Sequence, residues 1–270
     1  MLRLDRPSVA LGLLWLLPTL AGCGLFWRAP VPMRAIDYPS PQGQAKCLVV
    51  FLPGMGDEAE AFAQHGMVEE IRRRSLAVDV VAANATIGYY SHGVFADRLA
   101  TDVIAPRRAR GYQQTWLIGP SMGGFGTLFY ARQRLGDVTG VLALAPFLGD
   151  RGLIDEVRQA GGLDRWKGPP RVDQMNSHNY QRELLRWLQA ATRGQEPAPI
   201  LNIGFGNTDK LARADQLLAA VLPPDHVFHT DGGHNWGPWR ALLAQFLDRG
   251  DLAKSCRYSQ YPMGVHASGQ

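Results

Sequence analysis

Cysteine is scarce in this chain of 270 residues, which has three in all, too few for a disulfide-built scaffold. A strong charge of either sign is also missing. The formal net charge is +4, and +3 once the first 22 residues are set aside. With no basic, aromatic-interleaved patch beside it, that excess excludes nucleic acid as the expected partner. The pI near 9.1 fits a mild attraction to anionic lipid and equally an ordinary solvated surface. No apolar run is long enough to cross a bilayer comfortably, the N-terminal one reaching only from Val9 to Leu20. Internal repeats and low-complexity segments are absent too. What remains is 46% apolar composition over a length sufficient for one sizeable α/β domain.

The N-terminal run follows Arg3 and Arg6, the pattern of a secretion signal over residues 1–22. It ends in Leu20-Ala21-Gly22-Cys23, which resembles a bacterial lipobox. Small residues suit a peptidase groove that admits extended backbone, and the Cys23 thiol is the group able to form a thioether to a diacylglycerol. Cys23 is therefore the expected lipidation site, with residues 23–45 as a lipid-anchored tether punctuated by Pro30, Pro32, Pro39 and Pro41 that also holds a first edge element, the compact domain beginning near Met33. Gly24 is not the aspartate that in some bacteria retains lipoproteins at the inner membrane. The expected location is the bacterial cell envelope, at the outer membrane facing the periplasm. In that oxidising setting Cys47 and Cys256 are candidates to pair, or else stand as two buried free thiols.

From residue 46 to about 250, short apolar runs alternate with longer amphipathic ones, the signature of βα units and a mostly parallel sheet with helices on both faces. Strands are expected at residues 47–52, 77–82, 115–118, 138–144, 199–205 and 227–230. Helical periodicity covers residues 58–74, 92–103, 122–134, 180–192, 209–221 and 236–248. Residues 147–198 break the rhythm with one good helix among Gly, Pro and Trp, and suggest a small cap-like insertion. Trp166, Tyr180 and Trp187 there either line a pocket or pack the cap onto the domain. Residues 251–270 are left as a C-terminal tail. The clusters Arg72-Arg73-Arg74 and Arg107-Arg108 suggest solvated helix ends, and secondarily a lipid-facing surface.

The chemistry centres on Gly119-Pro120-Ser121-Met122-Gly123-Gly124, directly after an apolar strand and directly before a helix. A serine on such a turn exposes its hydroxyl, and glycines two residues either side relieve crowding. The helix start also leaves the Met122 amide free to stabilise an oxyanion. A serine hydroxyl needs a base, and His234 in Asp231-Gly232-Gly233-His234-Asn235-Trp236 follows the last strand. His65, His178, His226 and His229 lack that position and are expected to be structural or exposed. The carboxylate that orients His234 is expected at Asp209, after the penultimate strand, in preference to Asp215 and Asp231; the alternative is that Asp209 only caps a helix. Phe51-Leu52-Pro53-Gly54-Met55-Gly56-Asp57 offers a second oxyanion donor, the Met55 amide or alternatively that of Gly56.

With the order Ser121, Asp209, His234 and these landmarks, the chain resembles the α/β-hydrolase superfamily from about Cys47 to Leu247. Its Leu-Pro-Gly-Met-Gly-Asp and Gly-Gly-His-Asn-Trp segments look like the esterase and lysophospholipase-type branches. Pro53 departs from the histidine that many members carry there. The resemblance implies an α/β-hydrolase fold and a serine esterase acting on a small-molecule or lipid ester through an acyl-enzyme, with no metal and no cofactor. Two other readings stay open: an acyltransferase on envelope lipid or glycan, and a catalytically silent binding lipoprotein.

Overall fold

A computed structural model describes residues 28–43 and 45–256. The expected signal segment and Cys23 lie outside the described residues. Seven strands form one sheet: β1 (Ala35–Tyr38), β2 (Cys47–Phe51), β3 (Val78–Ala83), β4 (Gln114–Pro120), β5 (Gly140–Leu144), β6 (Ile200–Gly206) and β7 (Val227–Thr230). Their order is β1-β3-β2-β4-β5-β6-β7, and only β1 runs antiparallel to its neighbour. Every residue of β2 and β5 is buried, so these strands are apolar without alternation, as a sheet covered on both faces requires. The fold is that of an α/β-hydrolase.

The helix Met122–Gln133 is buried on nearly every side, whereas the last long helix buries one stripe. Along Trp236–Arg249, Trp239, Leu242, Leu243 and Phe246 turn inward at three- and four-residue spacing. Phe246 meets Trp116 of β4 at 5.5 Å and Phe228 of β7 at 5.9 Å between ring centroids. Burying each such ring stabilises the fold by roughly 1.5–3 kcal/mol.

Several expected helices differ in detail. The one expected over residues 58–74 is two short helices, Ala61–Gln64 and Met67–Arg72, because Gly66 between them adopts a left-handed conformation (φ 76°). The one expected over residues 92–103 is preceded by Ile87–Ser91 and then continues through Pro106: Phe95–Arg98, a π-helical turn Leu99–Ile104 and Ala105–Arg108 follow without interruption. The wider turn accommodates the proline ring and its missing amide. The span expected as a helix over residues 209–221 is helical only at Ala212–Ala219.

The insertion at residues 147–198 holds two helices rather than one, Arg151–Gln159 and Tyr180–Thr192. The first starts where the Asp150 carboxylate accepts the Leu153 amide at 2.9 Å. Arg132, on the helix Met122–Gln133, ties the insertion down by donating to Glu183 at 3.1 and 2.7 Å. Burial alone would raise the Glu183 carboxyl, but Arg186 and Arg132 outweigh it and hold it below the usual range.

Arg107 is not a solvated helix end. It is buried and donates to both carboxylate oxygens of Asp37 at 2.8 and 2.7 Å, pinning β1 to the helix beneath it. A final helix, Asp251–Cys256, carries the packed body past residue 250, with Leu252 fully buried. Cys256 is disulfide-bonded to Cys47, at the N-terminal end of β2.

The chain passes from β2 to β3 on one side and then returns to place β4 on the other side of β2. The strand order thus reverses direction between β2 and β4, the place in an open parallel sheet where a site forms at the C-terminal strand ends. The segments after Phe51 and after Pro120 meet there.

Candidate active site

Ser121 stands between β4 and the helix Met122–Gln133 with φ 55° and ψ −115°. A non-glycine residue in that region costs on the order of 1–3 kcal/mol and persists only where its surroundings hold it. They do so here through the backbone. The Ser121 amide donates to Leu144 O at 2.8 Å, and its carbonyl accepts from Phe125 and Phe147 at 3.0 and 3.2 Å. The end of β5 thus clamps the turn that exposes the hydroxyl.

Close backbone approach explains the glycines nearby. A Cβ on Gly123 would stand 2.0 Å from Leu52 O and 2.8 Å from Pro53 O, so the start of the helix lies directly on the loop after β2. In that loop the position a Gly54 Cβ would take is 3.8 Å from the Ser121 Cβ. The segment expected to supply the second oxyanion donor is thereby brought beside Ser121. Met55, next along, exposes its side chain to solvent.

Asp209 and His234 come from the loops after β6 and β7. These loops also meet backbone to backbone: a Cβ on Gly206 would be 2.2 Å from Gly232 O. Thr208 N donates to Gly232 O at 3.1 Å and Asn207 N to Thr230 O at 2.9 Å. The result is a relay. His234 Nδ1 lies 2.9 Å from both carboxylate oxygens of Asp209, and Nε2 lies 2.9 Å from Ser121 Oγ. A carboxylate only accepts, so Nδ1 carries the ring proton and Nε2 accepts from the serine hydroxyl. The Asp209 carboxylate is fully shielded from solvent, while the imidazole keeps 13% exposure. Such a relay can take the serine proton and later return it to a leaving group.

Asp209 does not cap the helix Ala212–Ala219, which starts after Leu211 with no side-chain cap; its Oδ1 accepts the Leu211 amide at 2.8 Å in the turn that precedes that helix. The other two carboxylates weighed for its place stand apart from the imidazole. Asp231 accepts from Asn207 Nδ2 at 3.0 Å. Asp215 is wholly buried, and neither of its oxygens has a partner among the described residues. Burial, reinforced by the Asp209 charge, pushes its carboxyl well above the usual carboxylate range.

The remaining histidines lie elsewhere. His226 Nδ1 bonds Leu201 O at 2.8 Å, His229 packs edge-on to Phe205, and His178 is exposed. His65 lies flat against Trp236, with ring centroids 4.6 Å apart.

Of the three cap aromatics, Trp166 and Trp187 are buried, their indoles donating to Glu156 and to Pro197 O. Tyr180 lies against the helix that follows Ser121, 5.6 Å from Phe125 between ring centroids. Phe125 also neighbours Phe129 at 5.3 Å and Phe147 at 6.4 Å. Buried Phe125 and the half-buried rings of Phe129, Phe147 and Tyr180 form an aromatic wall near Ser121, in which only Tyr180 was named from the sequence. Its sequence signal was the four-residue spacing of Phe125 and Phe129 behind Ser121.

A family model described as "Putative esterase" matches residues 95–249, more than half of the chain. The chain belongs to that family. It is a carboxylic ester hydrolase of the α/β-hydrolase fold. No curated protein sequence matches it.

Solved structures similar to it include S-formylglutathione hydrolase FrmB from Staphylococcus aureus. The two share 15% identity over 82% of this chain and 98% of that one, with a TM-score of 0.53. An S-formylglutathione hydrolase from Agrobacterium tumefaciens is 15% identical over 80% of this chain and 88% of that one, with a TM-score of 0.54. Est1E from Butyrivibrio proteoclasticus, with ferulic acid bound, is 13% identical over 80% and 94%, with a TM-score of 0.52. At these identities the likeness is one of fold.

Proposed function

We propose that this esterase works through an acyl-enzyme formed on Ser121, with His234 as general base and acid and Asp209 as the carboxylate that orients it. Ser121 Oγ attacks the ester carbonyl carbon while its proton passes to His234 Nε2. The oxyanion that forms is stabilised by the amides of Met122 and Met55. As the tetrahedral intermediate collapses, the carbon–oxygen bond to the alcohol breaks and the alcohol leaves with the proton from His234. Water, deprotonated by His234, then releases the acid and restores the serine.

The observation that carries this reading is the unbroken relay from Ser121 Oγ through the imidazole to Asp209, at 2.9 Å in each step. Replacing Ser121 by alanine abolishes covalent labelling by a fluorophosphonate probe and lowers ester turnover by roughly 10⁴-fold or more, with the thermal melt unchanged. Active-site-directed labelling of S121A would overturn the assignment.

The enzyme acts at the bacterial cell envelope, held by lipid on Cys23 and facing the periplasm, on a small-molecule or lipid ester. Support comes from the basic residues, the apolar run and the small residues that precede Cys23. Incorporation of an alkyne fatty acid into the full chain, lost in Cys23→Ser, is the expected result.

A further inference from the structure

Between residues 63–66 and the start of the helix that follows His234 lies an open groove of about 370 Å³, lined by Gln64, His65, Gly66, Trp236 and Arg240 among others. Its position follows from two independent contacts. Trp239 stands edge-on to His234 at 5.0 Å and to Trp236 at 5.3 Å, so the groove wall is one ring removed from the imidazole. On the other side, Asp57 Oδ2 lies 3.2 Å from where a Gly54 Cβ would be, and the Trp236 indole interacts with that carboxylate. The groove thus lies against the start of the helix that follows His234, and its Trp236 wall interacts with Asp57 of the loop beside Ser121.

General-acid chemistry fixes which half of an ester lies there. The leaving oxygen must come within hydrogen-bond reach of His234 Nε2, so the alcohol portion departs on the imidazole side of Ser121. The aromatic wall of Phe125, Phe147 and Tyr180 is built from other elements, the helix after Ser121, the β5 loop and the insertion helix, and shares no residue with the groove.

The groove is both rigid and charged. Trp236 is held flat against His65 and edge-on to Phe62 at 5.4 Å, and Phe62 in turn stacks on Phe51 of β2 at 4.5 Å. At its rim the guanidinium of Arg240 is 3.7 Å from Glu70, a long contact. Glu70 is shared with Arg73 and with Arg74 at 2.9 Å, and Arg74 also takes Asp248 at 2.8 Å. Within this cluster three guanidinium groups face two carboxylates. One unit of positive charge is left over, and Arg240, the most loosely held and over half exposed, presents it to the groove. The opposing charge of Asp57 is turned toward the indole of Trp236 and the loop.

We propose that this groove is the leaving-group subsite, and that it selects esters whose alcohol portion carries an anionic group, a carboxylate or a phosphate, recognised by Arg240. The proposal rests on the acyl-enzyme reading above and extends it from the acyl half of the substrate to the other.

The test compares 4-acetoxybenzoate with its methyl ester, each rate divided by that ester's own hydroxide-catalysed rate so that the better phenolate leaving group of the methyl ester is removed and the charge of the leaving phenol remains. The wild-type enzyme turns over the anionic ester with a kcat/KM about fivefold above that of the neutral one, carried by KM. Raising the ionic strength compresses the ratio. Arg240→Gln brings it to near one, and Arg240→Lys recovers part of it. Phosphatidylglycerol vesicles separate the two sources of such an anion: competition that erases the preference identifies a lipid phosphate, and indifference a free small ester. A ratio that is the same in wild type and R240Q, or a wild-type preference for the neutral ester, would overturn the subsite. Failure of the acyl-enzyme reading looks different: S121A would then still turn over both esters.

Discussion

Gly123→Ala separates the chemistry of the site from the stability of the fold. The added methyl would stand 2.0 Å from Leu52 O, 2.7 Å from Leu52 C and 2.8 Å from Pro53 O, all backbone atoms. Ordinary contact begins near 3.4 Å, so helix and loop must part by more than an ångström. Leu52 yields little, because it is fully buried and its amide is bonded to Ile118 O at 2.9 Å. The displacement therefore falls on Pro53 to Asp57, the more exposed end of the loop, and carries the Met55 amide away from Ser121. Overpacking of this kind costs about 1–3 kcal/mol of stability, which leaves the protein folded. Losing one oxyanion donor costs about 10²–10³ in kcat, or roughly 3–4 kcal/mol of transition-state stabilisation. The assay is steady-state hydrolysis of 4-nitrophenyl acetate beside a thermal melt. The expected variant melts within several degrees of wild type and loses at least about a hundredfold in kcat, with KM little changed. A folded G123A enzyme with kcat within about threefold of wild type would refute the role given to the loop.

Two further outcomes follow from groups outside the relay. The Cys47–Cys256 bond closes a sequence separation of 209 residues. Its loss in Cys256→Ser lowers the unfolding free energy by up to about 5 kcal/mol on the chain-entropy model, read by urea denaturation, while kcat holds. An unchanged denaturation midpoint would refute that. Asp215, whose carboxyl is raised by burial and by Asp209, stays protonated in the fold at pH values where the unfolded chain ionises it. Its stabilising contribution is complete below the ordinary carboxyl pKa and is lost as pH rises toward the raised value, at about 1.4 kcal/mol per pH unit. Asp215→Asn is therefore expected to gain on the wild type in denaturation midpoint from pH 5 to pH 7, and a constant gap over that range would count against a buried neutral acid.

The parallel strands were legible because burial on both faces forces continuous apolar runs, and those runs end where polar turn residues begin. β7 was expected at residues 227–230 and lies at Val227–Thr230. The helices were less legible where one glycine or a local hydrogen bond decides. Gly66 divides a periodic segment into two, and Asp150 starts a helix in a stretch whose composition suggested loop. Around the site, Ser121, Asp209 and His234 stand out in the sequence because each follows an apolar strand in the order that the chemistry needs. The aromatic wall and the Arg240 groove do not. They are assembled from residues far apart in the chain, such as His65 against Trp236 and Phe125 against Tyr180, and no local spacing encodes such a meeting. Arg107 failed as a surface residue for the same reason, its partner Asp37 lying on an edge strand 70 positions earlier.

The sheet divides the labour between its two ends. At the C-terminal ends of β2, β4, β6 and β7, loops rich in glycine bring backbone against backbone and hold a strained serine, a histidine and a buried carboxylate in line. At the N-terminal end of β2, Cys47 bonds the last described helix. Strain stored at Ser121 is opposed by hydrogen bonds from the end of β5 and the residues after it, and these persist only while the strands stay in register. A covalent closure across the other end of the same sheet stabilises that register without touching the reacting groups. The two ends are then expected to differ in what they control: G123A should cut the rate steeply for a melt shift of only several degrees, and C256S should move the melt and spare the rate. In the double variant the two effects should add, since the sites are remote and share no partner.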